Sequence, residues 1–341
     1  MRVLITGGAG FVGHHLVEHL LKNTTWEIVS LDRLDGSSTL ERLADLDCWP
    51  QEKHRVRVVW HDLKSPINAH VAAKIGPVQV ILHLAAASHV DRSIEDPMSF
   101  VMDNVVGTCN LLEYAGLVNG AGGDMLHRFI YFSTDEVFGP ASSKDMPHPY
   151  NHLSYHEWDR YRSANPYAAT KAGAEELCLA YQNTYRLPIL ISHCMNVFGE
   201  RQHPEKFIPS TIRKVAKGET VTIHADATRT KPGSRFYIHA RNVASAVLFL
   251  LRHGEPGDKY NIVGECEVDN LTLAEMIARA MGEPLRFELV DFHSSRPGHD
   301  LRYALSGEKM AKLGWKPPIE FEDSLRRVVK WTVEHREWLH G

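Results

Sequence analysis

The feature that most restricts how this chain can fold lies at its start. An apolar run, Arg2–Thr6, passes directly into Gly7-Gly8-Ala9-Gly10-Phe11-Val12-Gly13 and on into the helix-like pattern Phe11–Leu21. Strand, glycine turn and helix in that order point to a right-handed βαβ unit with parallel strands. The spacing of Gly7, Gly10 and Gly13 lets backbone N–H groups approach a pyrophosphate, with the dipole of the following helix behind them. Glycines so spaced also make ordinary tight turns, so the context decides. The second strand, Trp26–Leu31, ends on Asp32. That places an acidic residue about 20 residues on, where a carboxylate accepts hydrogen bonds from an adenosine ribose. The same charge repels a 2′-phosphate, which makes NAD the expected cofactor rather than NADP, with Arg33 beside it as an opposing charge. Asp62, after the third strand in Trp60-His61-Asp62-Leu63, is placed to meet the adenine; capping its own loop is the alternative.

The same alternation continues. Further strands are expected at Val56–Trp60, Val78–Leu82, Arg128–Phe132 and Leu187–His193, with helices at Pro97–Tyr114 and Tyr167–Tyr185. These strands are near-continuous apolar runs, as strands covered on both faces should be. After residue 195, Pro204, Pro209, Pro232, Pro284, Pro297, Pro317 and Pro318 break the chain into shorter elements, with helical patterns at Pro209–Lys217, Ala240–Arg252, Thr272–Met281, Gly307–Leu313 and Phe321–Glu337. The expected fold is α/β: a Rossmann-type, doubly wound parallel sheet with a smaller mixed C-terminal substrate lobe closing over its carboxyl edge. Residues 1–195 form the nucleotide-binding domain, with 237–264 returning to it; 196–236 and 265–341 form the lobe.

Composition excludes several classes. With 38 Lys and Arg against 42 Asp and Glu, the chain has no global basic field for nucleic acid or an anionic membrane. Its apolar runs fall short of the roughly 20 residues that span a bilayer. The opening strand is expected to leave no room for a signal peptide. Five cysteines, odd in number and without C-x-x-C, are expected as reduced thiols in the cytoplasm. The 21 histidines show no H-E-x-x-H or comparable spacing, so no metal site is expected.

Two clusters carry candidate chemistry. Tyr167 and Lys171 stand at i and i+4 on one helix face, where an ammonium beside a phenol favours the phenolate. Y-x-x-x-K is common by chance and gains meaning only behind a nicotinamide-binding fold. Ser133-Thr134-Asp135-Glu136 follows a central strand, whose carboxyl end faces the cofactor crevice. One hydroxyl and two carboxyl groups can supply a donor, an acid and a base if their surroundings push the two pKa values apart. The bland alternative is an N-cap run opening a short helix.

Together these elements resemble the extended short-chain dehydrogenase/reductase family, and within it the nucleotide-sugar 4,6-dehydratases of the dTDP-glucose type. Beyond the glycine turn, the resemblance includes His83-Leu84-Ala85-Ala86, Ser88-His89-Val90-Asp91-Arg92-Ser93, Asn104-Val105-Val106-Gly107-Thr108, Ser133–Gly139, Pro166–Lys171, Asn196, Pro204–Pro209 and Arg296-Pro297-Gly298-His299-Asp300. The Thr134-Asp135-Glu136 triplet discriminates most, because epimerases of the family usually carry small or hydroxyl residues there.

The resemblance implies a mechanism. Tyr167 takes the proton of the sugar C4 hydroxyl as hydride passes to NAD, with Lys171 and Thr134 supporting the phenol oxygen. Glu136 removes the C5 proton, Asp135 protonates the departing C6 hydroxyl, and hydride returns to C6. It also implies that Phe11, Val12, Leu63, Leu84, Ala85, Ala86 and Ser133 line the cofactor. Ser88, Arg92, Asn196, Lys206, Arg235, Arg296 and His299 then meet the nucleoside diphosphate sugar. A surface role is the alternative for Arg235, Lys206 and the Arg296–Asp300 turn. A homodimer is implied through the helices at Pro97–Tyr114 and Tyr167–Tyr185. Departures from the pattern include Ala87 in place of a Glu, the basic loop Ala225–Ser234, Phe236 and Cys266. They leave the nucleotide open among dTDP, UDP, GDP and CDP. An epimerase, or a dehydratase of other regiochemistry, remains the alternative on the same fold.

Overall fold

The computed structural model describes residues 1–120, 126–141, 153–292 and 301–339. Six strands run in parallel through the first half: β1 (Arg2–Thr6), β2 (Glu27–Asp32), β3 (Val56–Trp60), β4 (Val80–His83), β5 (Arg128–Thr134) and β6 (Ile189–Cys194). With β10 (Lys259–Ile262) they build a seven-stranded sheet in the order β10-β6-β5-β4-β1-β2-β3. The direction of strand addition reverses between β1 and β4. In open α/β sheets, that reversal opens the ligand crevice at the strands' carboxyl ends.

The apolar runs make this sheet because both faces are covered. Side chains alternate along a strand, so Val3 and Ile5 join one core while Leu4 joins the other. The same split divides Leu82 from Ile81, and Ile130 from Phe129 and Tyr131. Leu16, Val17 and Leu20 of the helix α1 (Phe11–Asn23) fill the first layer with Val243, Ala244 and Val247 of the Ala240–His253 helix. Leu111, Leu112, Ala174 and Cys178 fill the second.

Two smaller sheets form from the rest of the chain. One runs in the order β11-β9-β7, from β7 (Asn196–Phe198), β9 (Ser234–His239) and β11 (Glu267–Asp269); the other pairs β8 (Val221–Ala225) with β12 (Phe287–Asp291). The helices Phe207–Ala216, Asn270–Met281 and Phe321–Glu334 pack a separate core of Ile208, Ile212, Leu273, Ile277, Leu325 and Val328. No helix among the described residues is long and apolar enough to cross a membrane.

One expected helix is not a single helix. The pattern over Pro97–Tyr114 divides into Pro97–Phe100, a π-helical turn at Val101–Val106, and Gly107–Gly120. Asn104 sits in the π turn, and its side chain accepts from the Ala87 N–H at 2.8 Å and donates to the Ala87 carbonyl at 3.0 Å and the Thr170 hydroxyl at 2.9 Å. Three bonds to outside partners stabilise a wider turn that periodicity alone does not reveal.

Candidate active site

A cleft of about 1060 Å³ runs along the carboxyl edge of the large sheet. That is at the upper end of the roughly 300–1,000 Å³ of a small-molecule site. Gly7, Gly10, Phe11, Val12, Gly13, Asp32, Arg33, Asp62, Leu63, Leu84, Ala85, Ala86 and Ser133 line it. So do Thr134, Asp135, Glu136, Tyr167 and Lys171, and Ser88, Arg92, Asn196 and Lys206. The structure thus brings the two halves of the expected site together. Arg296 and His299 lie outside the described residues. Arg235 is not among the residues that line the cleft: it donates to the carbonyls of Ser234 and Leu301 and lies 4.8 Å from the centre of the Tyr303 ring.

The cofactor end fits a dinucleotide. Gly7 has φ +72°, and a Cβ at Gly13 would collide with the Gly7 carbonyl oxygen, so both positions need glycine. The α1 helix starts at Gly10 with no side-chain cap and no acidic residue in its first turn, which leaves its leading N–H groups to an anion. Asp32 is 5% exposed. Its carboxylate accepts from Ala9 N at 3.1 Å, Leu34 N at 3.1 Å and Ser38 Oγ at 2.6 Å. Two carboxylate oxygens offer about four lone-pair sites, so one acceptor position remains for a ribose hydroxyl. Arg33 pairs with Asp35 and with Asp103 at 2.7 Å, which holds its charge on carboxylates. Asp62 lines the cleft, and its carboxylate accepts from Lys64 N at 3.0 Å, the loop-capping bond expected as the alternative.

At the catalytic end, β5 delivers Thr134 and the short 3₁₀ turn Asp135–Phe138 presents Asp135 and Glu136. The Thr134 hydroxyl donates to Asp135 Oδ1 at 3.0 Å and accepts from Glu136 N at 3.3 Å. Burial first, and the neighbouring Glu136 charge second, push the Asp135 carboxyl up to about 7. Its Oδ2 is buried with no hydrogen-bond partner. Two adjacent carboxyl groups therefore differ in kind, and Asp135 is the one disposed to carry a proton at neutral pH.

The expectation for the tyrosine is corrected. Burial, then Glu136, drive the Tyr167 phenol well above its ordinary value, while a bond from Thr134 opposes them. Burial also pulls the Lys171 ammonium down to about 7. Its Nζ rests 4.3 Å from the centre of the Tyr131 ring. For these two buried side chains, desolvation outweighs the pairing read from the i, i+4 spacing.

Arg92 and Lys206 both line the cleft, and both charges act on His89 and His203. Arg92 reaches Glu205 at 3.2 Å, and the same carboxylate is approached by His89 at 3.5 Å and His203 at 3.6 Å. Sequence reasoning did not find Glu205, Ser38, Asp103 or Asn165. Of these only Asn165 carries a local signal, an Asn before Pro at a helix start.

A glycine-turn Rossmann domain whose crevice holds a tyrosine–lysine helix and an adjacent pair of carboxyl groups defines an extended short-chain dehydrogenase/reductase. The chain matches the family described as GDP-mannose 4,6 dehydratase over residues 4–328 and belongs to it. The dTDP-glucose 4,6-dehydratase of Salmonella typhimurium is 34% identical over 100% of this chain and 95% of its own. Low-salt glycan biosynthesis protein Agl12 of Haloferax volcanii is 38% identical over 98% of this chain and 99% of its own. The crystal structure of the dTDP-glucose 4,6-dehydratase DesIV of Streptomyces venezuelae, solved with NAD bound, superposes with a TM-score of 0.85. It shares 35% identity and covers 100% of this chain and 99% of that one.

Proposed function

We propose that this chain is an NAD-dependent hydro-lyase that converts a nucleoside diphosphate hexose, dTDP-glucose first, into the 4-keto-6-deoxy sugar. The observation that carries the reading is the Asp135–Glu136 pair: one buried carboxyl is raised to about 7, with a free oxygen, beside a second carboxylate. Simple oxidation or epimerisation at C4 needs neither group, whereas elimination across C5–C6 needs an acid and a base together.

The roles follow from placement. Tyr167 takes the C4 hydroxyl proton as its phenolate, a form that the Lys171 ammonium and the positive charge of a bound nicotinamide would favour against burial, with Thr134 beside the phenol oxygen. Lys171, beneath the same face of the helix, takes the cofactor ribose. Glu136 removes the C5 proton, which the C4 ketone has made acidic, and Asp135 protonates the C6 hydroxyl as it leaves as water. When bound, NAD would supply the hydride acceptor for C4 and the donor for C6, and with the proton that Glu136 gives back to C5 the sugar undergoes no net redox change. Gly7, Gly10, Gly13 and Asp32 hold that cofactor, and Ser88, Arg92, Asn196 and Lys206 hold the nucleotide sugar, with amide and cationic donors suited to its diphosphate.

Residues 196–236 and 265–341 serve as the substrate lobe over a cofactor domain of 1–195 and 237–264. The neighbouring Gly107–Gly120 and Pro166–Tyr185 helices carry the exposed side chains Leu117 and Tyr185, and Met98 lies just ahead of them. These apolar groups support a homodimer. Purified protein, given dTDP-, UDP-, GDP- and CDP-glucose with no added cofactor, tests the reading by mass spectrometry. Loss of one water from the dTDP sugar supports it. Steady release of reduced nicotinamide without a keto sugar removes it.

A further inference from the structure

The carboxylate that removes the C5 proton is held by a side chain on the other catalytic element. Asn165 is the N-cap of the Pro166–Tyr185 helix, and its Oδ1 accepts from the Ala168 N–H at 2.8 Å. Its Nδ2 donates to Glu136 Oε2 at 2.9 Å. The residue is 6% exposed, so water competes little for either bond. Capping fixes which way the amide faces. A flipped amide would set its NH₂ against the Ala168 N–H and its oxygen against the Glu136 carboxylate, opposing donor to donor and acceptor to acceptor. Pro166 at the first helical position, with its fixed φ, also restrains the turn from which Asn165 projects. Tyr167 lies two residues further on. One short side chain thus joins Glu136, on the turn after β5, to the helix that carries Tyr167 and Lys171.

We infer that Asn165 is a positioning residue for the elimination step, holding the Glu136 carboxylate aimed while it caps the catalytic helix. The inference rests on the role given to Glu136 above. A hydrogen bond to a carboxylate favours its charged form, the form a base requires. Asn165 touches neither sugar nor cofactor in this assignment; it acts through Glu136.

The cap and the donor can be separated. Asn165→Ser and Asn165→Thr each keep a hydroxyl oxygen suited to the N-cap, and neither keeps an NH₂ group for Glu136. Both variants should therefore fold with a Tm within about 2 °C of the unaltered protein. Their kcat should fall about 10- to 100-fold with KM for the nucleotide sugar unchanged, as expected for losing help given only at the chemical step. The stall should also leave reduced nicotinamide visible by its near-ultraviolet absorbance, because oxidation at C4 precedes the step that Glu136 serves. A crystal structure of Asn165→Ser with the Glu136 carboxylate in its original place overturns the inference, as does unchanged kcat in both variants. The structural arm needs no turnover. Whether the unaltered protein dehydrates the sugar is read separately and decides only the function.

Discussion

Lys171 shows how a residue can be costly to the fold and still be kept. Its ammonium titrates near 10.5 in an unfolded chain and is pulled by burial down to about 7 here. Between those values the unfolded chain binds the extra proton, so stability rises as pH rises through the window. Lys171→Met removes a buried charge and should raise the Tm at pH 7 by about 2 °C or more while abolishing turnover, as calorimetry and the mass assay would show. Asp135 has the opposite sign. Its carboxyl is raised by burial and Glu136, so the protonated form that an acid needs is lost as pH rises through about 7. The rate of water loss should show an alkaline limb near that value. Asp135→Asn should remove the limb and lower kcat by about 10²-fold or more. Neither shift was legible in the sequence, where Tyr167, Lys171, Asp135 and Glu136 could be named but not their burial. Spacing reports which groups meet, whereas desolvation depends on everything packed around them.

Elements are joined by a buried chain of hydrogen bonds that local patterns do not reveal. The Thr6 hydroxyl, at the mouth of the glycine turn, meets His83 Nδ1 at 2.7 Å, and His83 Nε2 meets the Thr108 hydroxyl at 2.9 Å. Thr108 donates to the Asn104 carbonyl at 2.6 Å, which leaves Nε2 as the donor and makes His83 the Nε2–H tautomer. Burial pulls that ring down to about 3, consistent with its staying neutral. From Asn104 the chain passes to Thr170 and on to the Tyr167 carbonyl at 2.8 Å. The cofactor turn and the catalytic helix are thus fixed to one another through the π turn. Asn104→Ala would leave the Ala87 N–H and carbonyl and the Thr170 hydroxyl short of partners. It should cost about 2–3 kcal/mol in denaturant unfolding, with little change in the slope. The strands, the glycine turn and the Pro166 helix start could be read because each is written in neighbouring residues. The π turn, the Asn104 bonds and the Asn165–Glu136 bond could not, since their partners lie on other elements. The Rossmann-type parallel sheet was legible from the alternation of strand and helix. The two smaller sheets were not, because their strands are short and broken by proline.

At the scale of the molecule, the two regions are tied at more than the cleft. Arg201 pairs with Asp45 at 2.6 Å and lies 4.7 Å from the centre of the Trp331 ring. Exposed Met98 and Leu117 mark the face given to the homodimer, at 64% and 70% exposure. Met98→Asp with Leu117→Arg should therefore yield a monomer by light scattering at micromolar concentration, whereas the unaltered chain should run as a dimer. The strand β10 completes the large sheet against β6, and its Lys259 reaches the buried Glu175 at 2.9 Å, while His193 lies 3.2 Å from the same side chain. A ribosome delivers these parts in sequence order. β6 emerges first and must wait, its backbone edge unpaired and Glu175 without its ammonium, while the first part of the lobe is still being made. Nascent chains stalled just before residue 259 should be cut by protease near β6, and chains stalled well beyond residue 262 should resist. For that interval the newborn protein is a half-closed sheet in need of either a fast ribosome or a chaperone.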